Sequence, residues 1–242
     1  SYSNAKRRAA GRLGIEYRSV EYGSETVEEK IVNDIAALNA EDGVDGIIVQ
    51  TPLPSHIREA SLLNAIDEFR DVDCGGDKCR GKLYSGHPIY VPATASAVVE
   101  ILRRGGYETA GKHVVILGRG YNAGMPLAVL LLRKGEGDAT VTVCHSKTRD
   151  LSKYTLSADI LICAVGKAGI LTAEMVRPGA VIVDVGINSI RDENAPGGYR
   201  ITGDAAPDVA EVAGAITPVP GGVGPVTVAC LMFNVANAFI SR

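Results

Sequence analysis

A strand that runs directly into a glycine-rich turn and then into a helix constrains the fold more than any other feature of this sequence. His113–Leu117 is an apolar run, residues 118–124 (GRGYNAG) form the predicted turn, and the apolar residues of Met125–Lys134 have helical spacing. Glycines in such a turn let the backbone approach a pyrophosphate at the N-terminus of the following helix. The segment favours a dinucleotide-binding βα unit, with an ordinary βα turn as the alternative.

Short apolar runs alternate with helical patterns along most of the chain, which is typical of parallel sheets covered by helices. We therefore predict an α/β fold with two domains: a first domain with a parallel sheet, and a second, Rossmann-type domain closed by a C-terminal helix. The predicted strands are residues 16–22, 46–50, 113–117, 140–144, 160–164, 180–184 and 215–217. The predicted helices begin in the first residues and include parts of 27–38, 62–66, 96–104, 125–134 and 226–240.

The segment from Asp71 to Pro92 has no clear periodicity and is rich in Gly, Asp and Lys. It predicts a functional loop or a domain crossing. We place the domain boundary just after it, giving a first domain over 1–95 and a dinucleotide-binding domain over 96–225. The remaining residues, 226–242, are predicted to form a helix that packs back on the first domain.

The charge balance indicates a small-molecule partner. A net charge of -3 leaves no basic surplus to neutralise phosphate backbones, which disfavours nucleic acid and anionic membranes as partners. No uninterrupted apolar run reaches the roughly 20 residues of a membrane span, so we expect a cytoplasmic protein. The five cysteines are scattered and odd in number, which favours reduced thiols over a disulfide framework, and their spacing predicts no metal site.

The residues after the second predicted strand of the nucleotide-binding unit bear on the choice of cofactor. Residues 145–149 (HSKTR) carry cations where NAD-specific folds usually have an acidic residue that binds the ribose 2'-hydroxyl. Together with Arg119, they favour the 2'-phosphate of NADP over NAD, unless Lys147 and Arg149 are simply solvated charges. Residues 164–166 and 184–188 also follow strands, where the ligand crevice of an open parallel sheet lies, although their glycines also suit plain turns.

Two polar residues of the first domain are candidates for chemistry. Tyr2 and Lys6 are four residues apart on a predicted helix and share a face. Gln50 ends an apolar strand and precedes two prolines in 49–54 (VQTPLP), so its amide is expected at a sheet's carboxyl edge. Taken alone, Lys6 reads as a solvated helix lysine, and Gln50 as an ordinary polar residue more often than a functional one.

Several motifs occur in one order and spacing that resembles the methylenetetrahydrofolate dehydrogenase/cyclohydrolase family. The resemblance covers essentially the whole chain, and residues 217–225 (TPVPGGVGP) are its most specific part. The other motifs are Tyr2 with Lys6, residues 49–54, 71–73 (DVD), 118–119 (GR), 144–148 (CHSKT) and 184–188 (DVGIN).

The resemblance implies oxidation of 5,10-methylenetetrahydrofolate with NADP, with NAD as a possible substitute, followed by hydrolysis to 10-formyltetrahydrofolate. It also implies a homodimer. Lys6 corresponds to a lysine that helps water attack the methenyl carbon, Gln50 to its hydrogen-bonding partner and Asp73 to the pterin-binding aspartate. Tyr2 corresponds to an aromatic residue stacked on the folate, which completes the catalytic set. The expected cofactor-binding residues are Gly118, Arg119, Gly120, Gly124, His145, Ser146 and Ile187, and the folate-binding residues further include Pro220, Gly221 and Gly222.

The sequence departs from the family pattern at a few positions. Cys74-Gly75-Gly76 follows Asp73 where the family usually has Gly and an apolar residue, residues 91–96 (VPATAS) replace the more usual Pro-Cys-Thr-Pro, and Gly120 stands where a serine is usual. The chain also begins at the Tyr2/Lys6 segment, without the helix and strand that normally precede it. Two alternatives therefore stay open: a dehydrogenase without cyclohydrolase activity, and a non-catalytic folate- or nucleotide-binding module.

Overall fold

The chain forms two compact units in a computed structural model that describes residues 2–193, 195 and 197–241, apart from the side chain of Tyr2. Unit 1 comprises Ser1–Ala93 together with Val228–Arg242, and unit 2 comprises Thr94–Thr227. Unit 1 is therefore discontinuous in sequence, and unit 2 is a continuous insertion in it.

Unit 2 is built on a five-stranded parallel sheet. Its strands are β1 (His113–Leu117), β2 (Thr140–Cys144), β3 (Ile160–Cys163), β4 (Val181–Asp184) and β7 (Ala215–Ile216), in the order β2-β1-β3-β4-β7. The central strands are almost continuously apolar and buried, as expected of a parallel sheet covered on both faces. The predicted α/β class and the strands of the Rossmann-type sheet are confirmed.

Short helices and an antiparallel hairpin complete unit 2. The helices are α5 (Ala93–Arg104), α6 (Gly124–Leu132) and α7 (Leu151–Thr155), with 3-10 turns at Ala173–Met175 and Pro207–Glu211. The hairpin pairs β5 (Asn188–Arg191) with β6 (Tyr199–Thr202) and was not expected from the sequence. Its strands are short and mostly exposed, so they lack the apolar run that marks the sheet strands.

Unit 1 consists of helices packed around two apolar clusters. Its helices are α1 (Tyr2–Arg12), α2 (Glu28–Ala40), α3 (Glu59–Ala65), α4 (Asp77–Tyr84) and the C-terminal part of α8 (Val223–Ile240). In α2, Ile31 and Ile35 are one turn apart and both buried, which explains why this face packs inward. They pack with Ile47, Leu62 and other apolar residues in one cluster, and the other cluster lies around Val72 and Leu231.

The strands predicted at 16–22 and 46–50 are wrong, so the parallel sheet expected in the first domain is not formed by the residues that the structure describes. Both segments form neither strand nor helix. Alternating or apolar character makes a strand only when a second segment supplies a ladder of backbone hydrogen bonds. The backbone N–H of Ile47 donates to the carbonyl of Arg70 at 2.8 Å, which ties two segments together without extending into such a ladder.

The segment 71–92, predicted as a loop, contains the two-turn helix α4. Cys79 and Leu83 are four residues apart on it, and both are buried. Two apolar positions are too few to give a recognisable helical periodicity in the sequence. The side chain of Asn64 in α3 accepts a hydrogen bond from the Asp77 backbone at 2.8 Å and thereby caps the first turn. The same amide donates to the Asp77 carboxylate at 2.8 Å.

Helix α8 is apolar enough to resemble a membrane span by length and composition, with a mean hydropathy of 1.7 over 18 residues. No such span was expected from the sequence. Its Asn234 is buried, and the side-chain amide donates to the carbonyls of Val72 and Val91 at 2.8 and 2.9 Å. These bonds between distant segments, together with buried Leu231 and Ala238, make the C-terminal part of α8 a core helix of unit 1.

Candidate active site

Lys6 is a buried lysine on α1. Only 3% of its surface is exposed, although its neighbours Arg7 and Arg8 point to solvent. Its ammonium Nζ donates to the side-chain oxygen Oε1 of Gln50 at 2.8 Å. The interpretation of Lys6 as a solvated helix lysine is therefore wrong, and the structure brings the two residues together across 44 positions of sequence.

The environment of Lys6 disfavours its charged form. Burial lowers the pKa of Lys6 from its ordinary value of 10.5, and the nearby carboxylate of Asp73 opposes that change by attracting the ammonium. A lysine with a lowered pKa reaches its neutral form closer to neutral pH, and a neutral amine is able to accept a proton from water. The amide of Gln50 also donates to the Thr51 carbonyl at 3.1 Å, which orients its oxygen toward Lys6.

A tight turn holds Asp73 in place. The carboxylate of buried Asp71 accepts the backbone N–H groups of Gly75 and Gly76 at 2.9 and 2.7 Å, so the chain bends back around it. Cys74 adopts a positive φ of 54° within this bend. A Cβ on Gly75 would lie 2.7 Å from the Leu63 side chain, so the unusual glycines after Asp73 let the turn pack against α3.

The Asp73 carboxylate binds its proton more tightly than an ordinary aspartate. Burial raises the pKa of Asp73 from 3.8 to about 6, while a hydrogen bond from the Ala93 backbone and the charge of Lys6 act in the opposite direction. Asp73 is therefore largely ionised at neutral pH and becomes neutral under mildly acidic conditions.

The glycine loop of unit 2 has the tight geometry that its sequence predicted. Gly118 has φ 113°, and a Cβ there would lie 2.2 Å from the carbonyl oxygen of Ala164 in the loop after β3. A Cβ on Gly124 would lie 2.2 Å from the carbonyl oxygen of Gly118, whereas Gly120 has open space around it. The loop therefore folds so closely on itself that backbone, rather than side chains, forms its inner surface, as a bound pyrophosphate requires.

The other candidates for cofactor binding lie at the same carboxyl edge of the parallel sheet. After β2, the backbone N–H of His145 donates to Thr148 Oγ1 at 2.9 Å, which forms a turn that exposes Ser146 and Lys147. Arg119 is also exposed in the glycine loop. After β4, Ile187 is an exposed apolar side chain, with 65% of its surface accessible.

The remaining substrate candidates are described to different extents. Pro220, Gly221 and Gly222 form a turn after β7, in which the Val219–Pro220 peptide bond is cis and Gly221 has φ 104°. A Cβ on Gly222 would lie 2.5 Å from the carbonyl oxygen of Pro218, so this position also requires glycine. The side chain of Tyr2 lies outside the described residues.

Sequence reasoning missed two buried carboxylates behind the carboxyl edge of the sheet. Asp184 ends β4 and Asp204 follows β6, and they are 3% and 0% exposed. Asp184 lies in a motif that was noted for its glycine, and Asp204 was not singled out at all. The sequence signal that could have indicated them is a glycine close to each aspartate, in Gly203-Asp204 and in Asp184-Val185-Gly186. Gly203 leaves room for the Asp184 carboxylate, and Gly186 leaves room for that of Asp204.

A metal centre finds no support in the described part of the chain. Among residues 2–193, 195 and 197–241, no three or more His, Cys, Asp or Glu side chains are grouped so that they could hold a metal ion. Four of the five cysteines are buried, namely Cys74, Cys79, Cys144 and Cys163.

Comparison with known proteins gives the same family for both parts of the chain. Residues 1–73 match the model of the tetrahydrofolate dehydrogenase/cyclohydrolase catalytic domain, and residues 92–242 match that of the family's NAD(P)-binding domain. The bifunctional protein FolD of Prosthecochloris aestuarii is 45% identical over 98% of this chain and 82% of its own length. FolD of Thermus thermophilus is 46% identical over 100% and 82%.

Among solved structures, the Trypanosoma brucei N5,N10-methylenetetrahydrofolate dehydrogenase-cyclohydrolase matches with a TM-score of 0.93. The two chains are 42% identical, and the match covers 99% of this chain and 82% of the other. That enzyme was solved in complex with NADP cofactor and an inhibitor.

Proposed function

This chain belongs to the tetrahydrofolate dehydrogenase/cyclohydrolase family, and from that premise we propose how its residues carry out the two reactions. It is a bifunctional enzyme that oxidises 5,10-methylenetetrahydrofolate to the methenyl form with NADP and hydrolyses that product to 10-formyltetrahydrofolate. The observation that carries the proposal is the hydrogen bond between buried Lys6 and Gln50, because it gives the chain an amine suited to the hydrolytic step.

In the first reaction, the residues of unit 2 bind and orient the dinucleotide. The backbone of Gly118, Gly120 and Gly124 receives the pyrophosphate at the N-terminus of α6, and the close approaches at Gly118 and Gly124 fit that role. NADP, when bound, accepts the hydride from the methylene carbon. The protein contributes mainly the alignment of the two reactants, because the neighbouring folate nitrogen stabilises the cation that is left.

The 2'-phosphate of NADP is proposed to interact with the exposed polar groups beside the glycine loop. Arg119 supplies a planar cation, and the turn after β2 presents His145 and Ser146. Hydrogen bonds from such groups to a phosphate are strengthened by its charge. Ile187 offers an apolar surface at the carboxyl edge, which suits contact with the flat nicotinamide ring.

In the second reaction, Lys6 is proposed to assist water. Burial lowers the pKa of Lys6, so a fraction of the amine is neutral and can accept the proton that water releases as its oxygen bonds to the methenyl carbon. The oxygen of Gln50 orients the amine by its 2.8 Å hydrogen bond. The bond between that carbon and N5 then breaks as the hydroxyl of the adduct loses its proton and N5 gains one, and the formyl group remains on N10.

Asp73 is proposed to bind the pterin. The pterin amino group and the adjacent ring N–H form a guanidine-like edge, from which an ionised carboxylate accepts two hydrogen bonds. With a pKa of about 6, Asp73 is largely ionised at neutral pH. We further propose that Tyr2 stacks on the folate and that Pro220, Gly221 and Gly222 contribute to binding it.

The proposal extends to the organisation of the protein. Residues 1–95 are assigned to folate binding and catalysis, 96–225 to the dinucleotide and 226–242 to a helix that completes the first domain. We also propose a cytoplasmic homodimer. Light scattering after size-exclusion chromatography tests the oligomeric state, and a monomer at micromolar concentration would contradict it.

The experiment that tests the function follows two absorbance signals at once. The protein is mixed with 5,10-methylenetetrahydrofolate and either NADP or NAD, and reduced cofactor and methenyl-folate are recorded separately. Reduction of NADP with little methenyl accumulation is expected, because hydrolysis removes the intermediate. Methenyl accumulation would indicate a dehydrogenase without hydrolase, and folded protein that reduces neither cofactor would leave only a binding module.

A further inference from the structure

The buried carboxylate of Asp204 collects hydrogen bonds from two loops at the carboxyl edge of the unit 2 sheet. Its Oδ2 accepts the backbone N–H groups of Val165 and Gly166 at 2.6 and 3.0 Å. Its Oδ1 accepts the backbone N–H of Lys167 at 2.9 Å and the side-chain amide of Asn188 at 2.9 Å. One carboxylate therefore ties the loop that follows β3 to the first residue of β5.

A second carboxylate holds Asp204 itself. Asp184 accepts the backbone N–H groups of Asp204 and Ala205 at 3.0 and 2.8 Å, and that of Gly186 at 2.9 Å. A Cβ on Gly203 would lie 2.0 Å from the Asp184 carboxylate, and a Cβ on Gly186 would lie 2.3 Å from that of Asp204. The network is packed so tightly that these glycines are required beside it.

The loops that Asp204 fixes lead directly to the proposed dinucleotide site. The loop after β3 contacts the glycine loop, since the carbonyl of Ala164 is the atom that a Cβ on Gly118 would meet. Val165 and Ile187 are exposed apolar residues at these positions. The backbone N–H of Val165 donates to Asp204 directly. Ile187 precedes Asn188, whose side chain donates to Asp204. Buried hydrogen bonds to a carboxylate are strong, so these positions are held rigidly.

We propose that Asp204 is a positioning residue for hydride transfer: it touches neither substrate nor cofactor, and it sets the loops of Val165 and Ile187 against the bound dinucleotide. This inference rests on the proposed function. Hydride transfer depends on the alignment of two rings, and a small displacement of a supporting loop reduces its rate far more than it reduces stability. The hydrolytic step at Lys6 uses residues of unit 1 and does not depend on these loops.

The variant Asp204→Asn tests the idea because it keeps the shape of the side chain. An asparagine has one acceptor oxygen, so its NH2 group faces either the N–H groups of Val165 and Gly166 or those of Lys167 and Asn188. Two donors lose their acceptor in either orientation. We expect kcat/KM for NADP in the dehydrogenase reaction to fall about 10- to 100-fold, while hydrolysis of added methenyl-folate without NADP is unchanged.

The matched control is Asp159→Asn, at the opposite edge of the same sheet. Asp159 also accepts a backbone N–H, from His113 at 2.9 Å, and pairs with Arg177 at 2.8 Å. Both activities of this variant are expected to match the wild type. A selective loss of dehydrogenase activity in Asp159→Asn would show that any such carboxylate matters and would overturn the assignment to Asp204.

The outcomes separate this inference from the function on which it rests. A wild-type protein without NADP reduction would refute the proposed function. With an active wild type, unchanged NADP kinetics in Asp204→Asn, or an equal loss of both activities, would overturn the positioning role. If Asp204→Asn does not fold, the variant Asn188→Ala is measured instead, because it removes one of the four donors to Asp204. It should lower kcat/KM for NADP about 3- to 10-fold and leave hydrolysis intact. Unchanged NADP kinetics in this variant would overturn the proposal.

Discussion

The replacement Asp73→Asn should stabilise the ligand-free protein while it weakens folate binding. Burial raises the pKa of Asp73 from 3.8 to about 6, so the folded state holds the ionised carboxylate less favourably than the unfolded chain does. A difference of about two pH units corresponds to about 3 kcal/mol at neutral pH, which partial exposure of the side chain reduces to about 1–3 kcal/mol. An asparagine carries no charge and escapes this cost.

The pH dependence follows with a defined sign. Between pH 3.8 and about 6, the folded carboxyl keeps a proton that the unfolded chain has released, so the stability that Asp73 contributes falls as pH rises through this window. The advantage of Asp73→Asn is therefore largest above pH 6, is about half as large at pH 5 and falls to about a fifth at pH 4. Calorimetric unfolding of the ligand-free protein at several pH values measures it, with about 2–4 °C expected per kcal/mol.

A neighbouring aspartate supplies a control with the opposite sign. The Asp71 carboxylate accepts two backbone N–H groups in the same turn, so Asp71→Asn leaves a buried donor without its acceptor and should destabilise the protein by about 1–3 kcal/mol. If folded Asp73→Asn melts at or below the wild-type temperature at pH 7.5, burial of the ionised Asp73 carboxylate does not cost the folded state free energy. Equal effects of the two variants would lead to the same conclusion.

Three further perturbations test other parts of the molecule. Lys6→Gln should abolish hydrolysis of methenyl-folate but keep folate binding, and the wild-type hydrolysis rate should rise with pH as the amine, whose pKa burial lowers, loses its proton. Gly118→Ala should strongly impair NADP binding, because its Cβ meets the Ala164 carbonyl at 2.2 Å, whereas Gly120→Ala, in open space, should be tolerated. Asn234→Ala should lower the free energy of unfolding by about 1–3 kcal/mol, because the buried Val72 carbonyl and the partly buried Val91 carbonyl lose their donor.

Each of these has a result that would contradict it. Undiminished hydrolysis by Lys6→Gln would remove Lys6 from the mechanism, and a Gly120→Ala variant as impaired as Gly118→Ala would show that the tight approach at Gly118 is not the cause. For Asn234→Ala, thermal unfolding that is unchanged from the wild type would mean that the carbonyls find other partners. The absorbance of methenyl-folate measures hydrolysis by Lys6→Gln, and NADP titration followed by fluorescence measures cofactor binding by the two glycine variants. Calorimetry measures the unfolding of Asn234→Ala.

The sheet of unit 2 and its glycine loop could be predicted because their signals are local. Continuous apolar runs such as Ile160–Cys163 specify buried strands, and glycines directly after His113–Leu117 specify the tight turn. Residues 16–22 and 46–50 were predicted as strands and are not, since an apolar or alternating pattern does not say whether a pairing partner is present. The hairpin β5–β6 was missed for the opposite reason, because exposed strands carry little apolar signal.

The candidate site was predictable only in part, because its contacts join distant segments. Lys6 alone looks like a surface residue, and its burial depends on Gln50, 44 positions away. The family resemblance supplied that pairing, whereas no periodicity could. Asp204 was missed because a single aspartate after a glycine resembles a turn residue, and its four hydrogen bonds come from residues 16 to 39 positions earlier in the chain.

The discontinuity of unit 1 sets an order for its assembly during synthesis. The carbonyls of Val72 and Val91 receive their donor from Asn234, which the ribosome adds 162 and 143 residues later. At about 5–20 residues per second, the early part of unit 1 waits roughly 7 to 30 seconds with an incomplete core. Unit 2 is continuous, and all its strands are synthesised before then. A nascent chain that ends just after Thr227 would therefore carry the complete sequence of unit 2 but only the N-terminal part of unit 1.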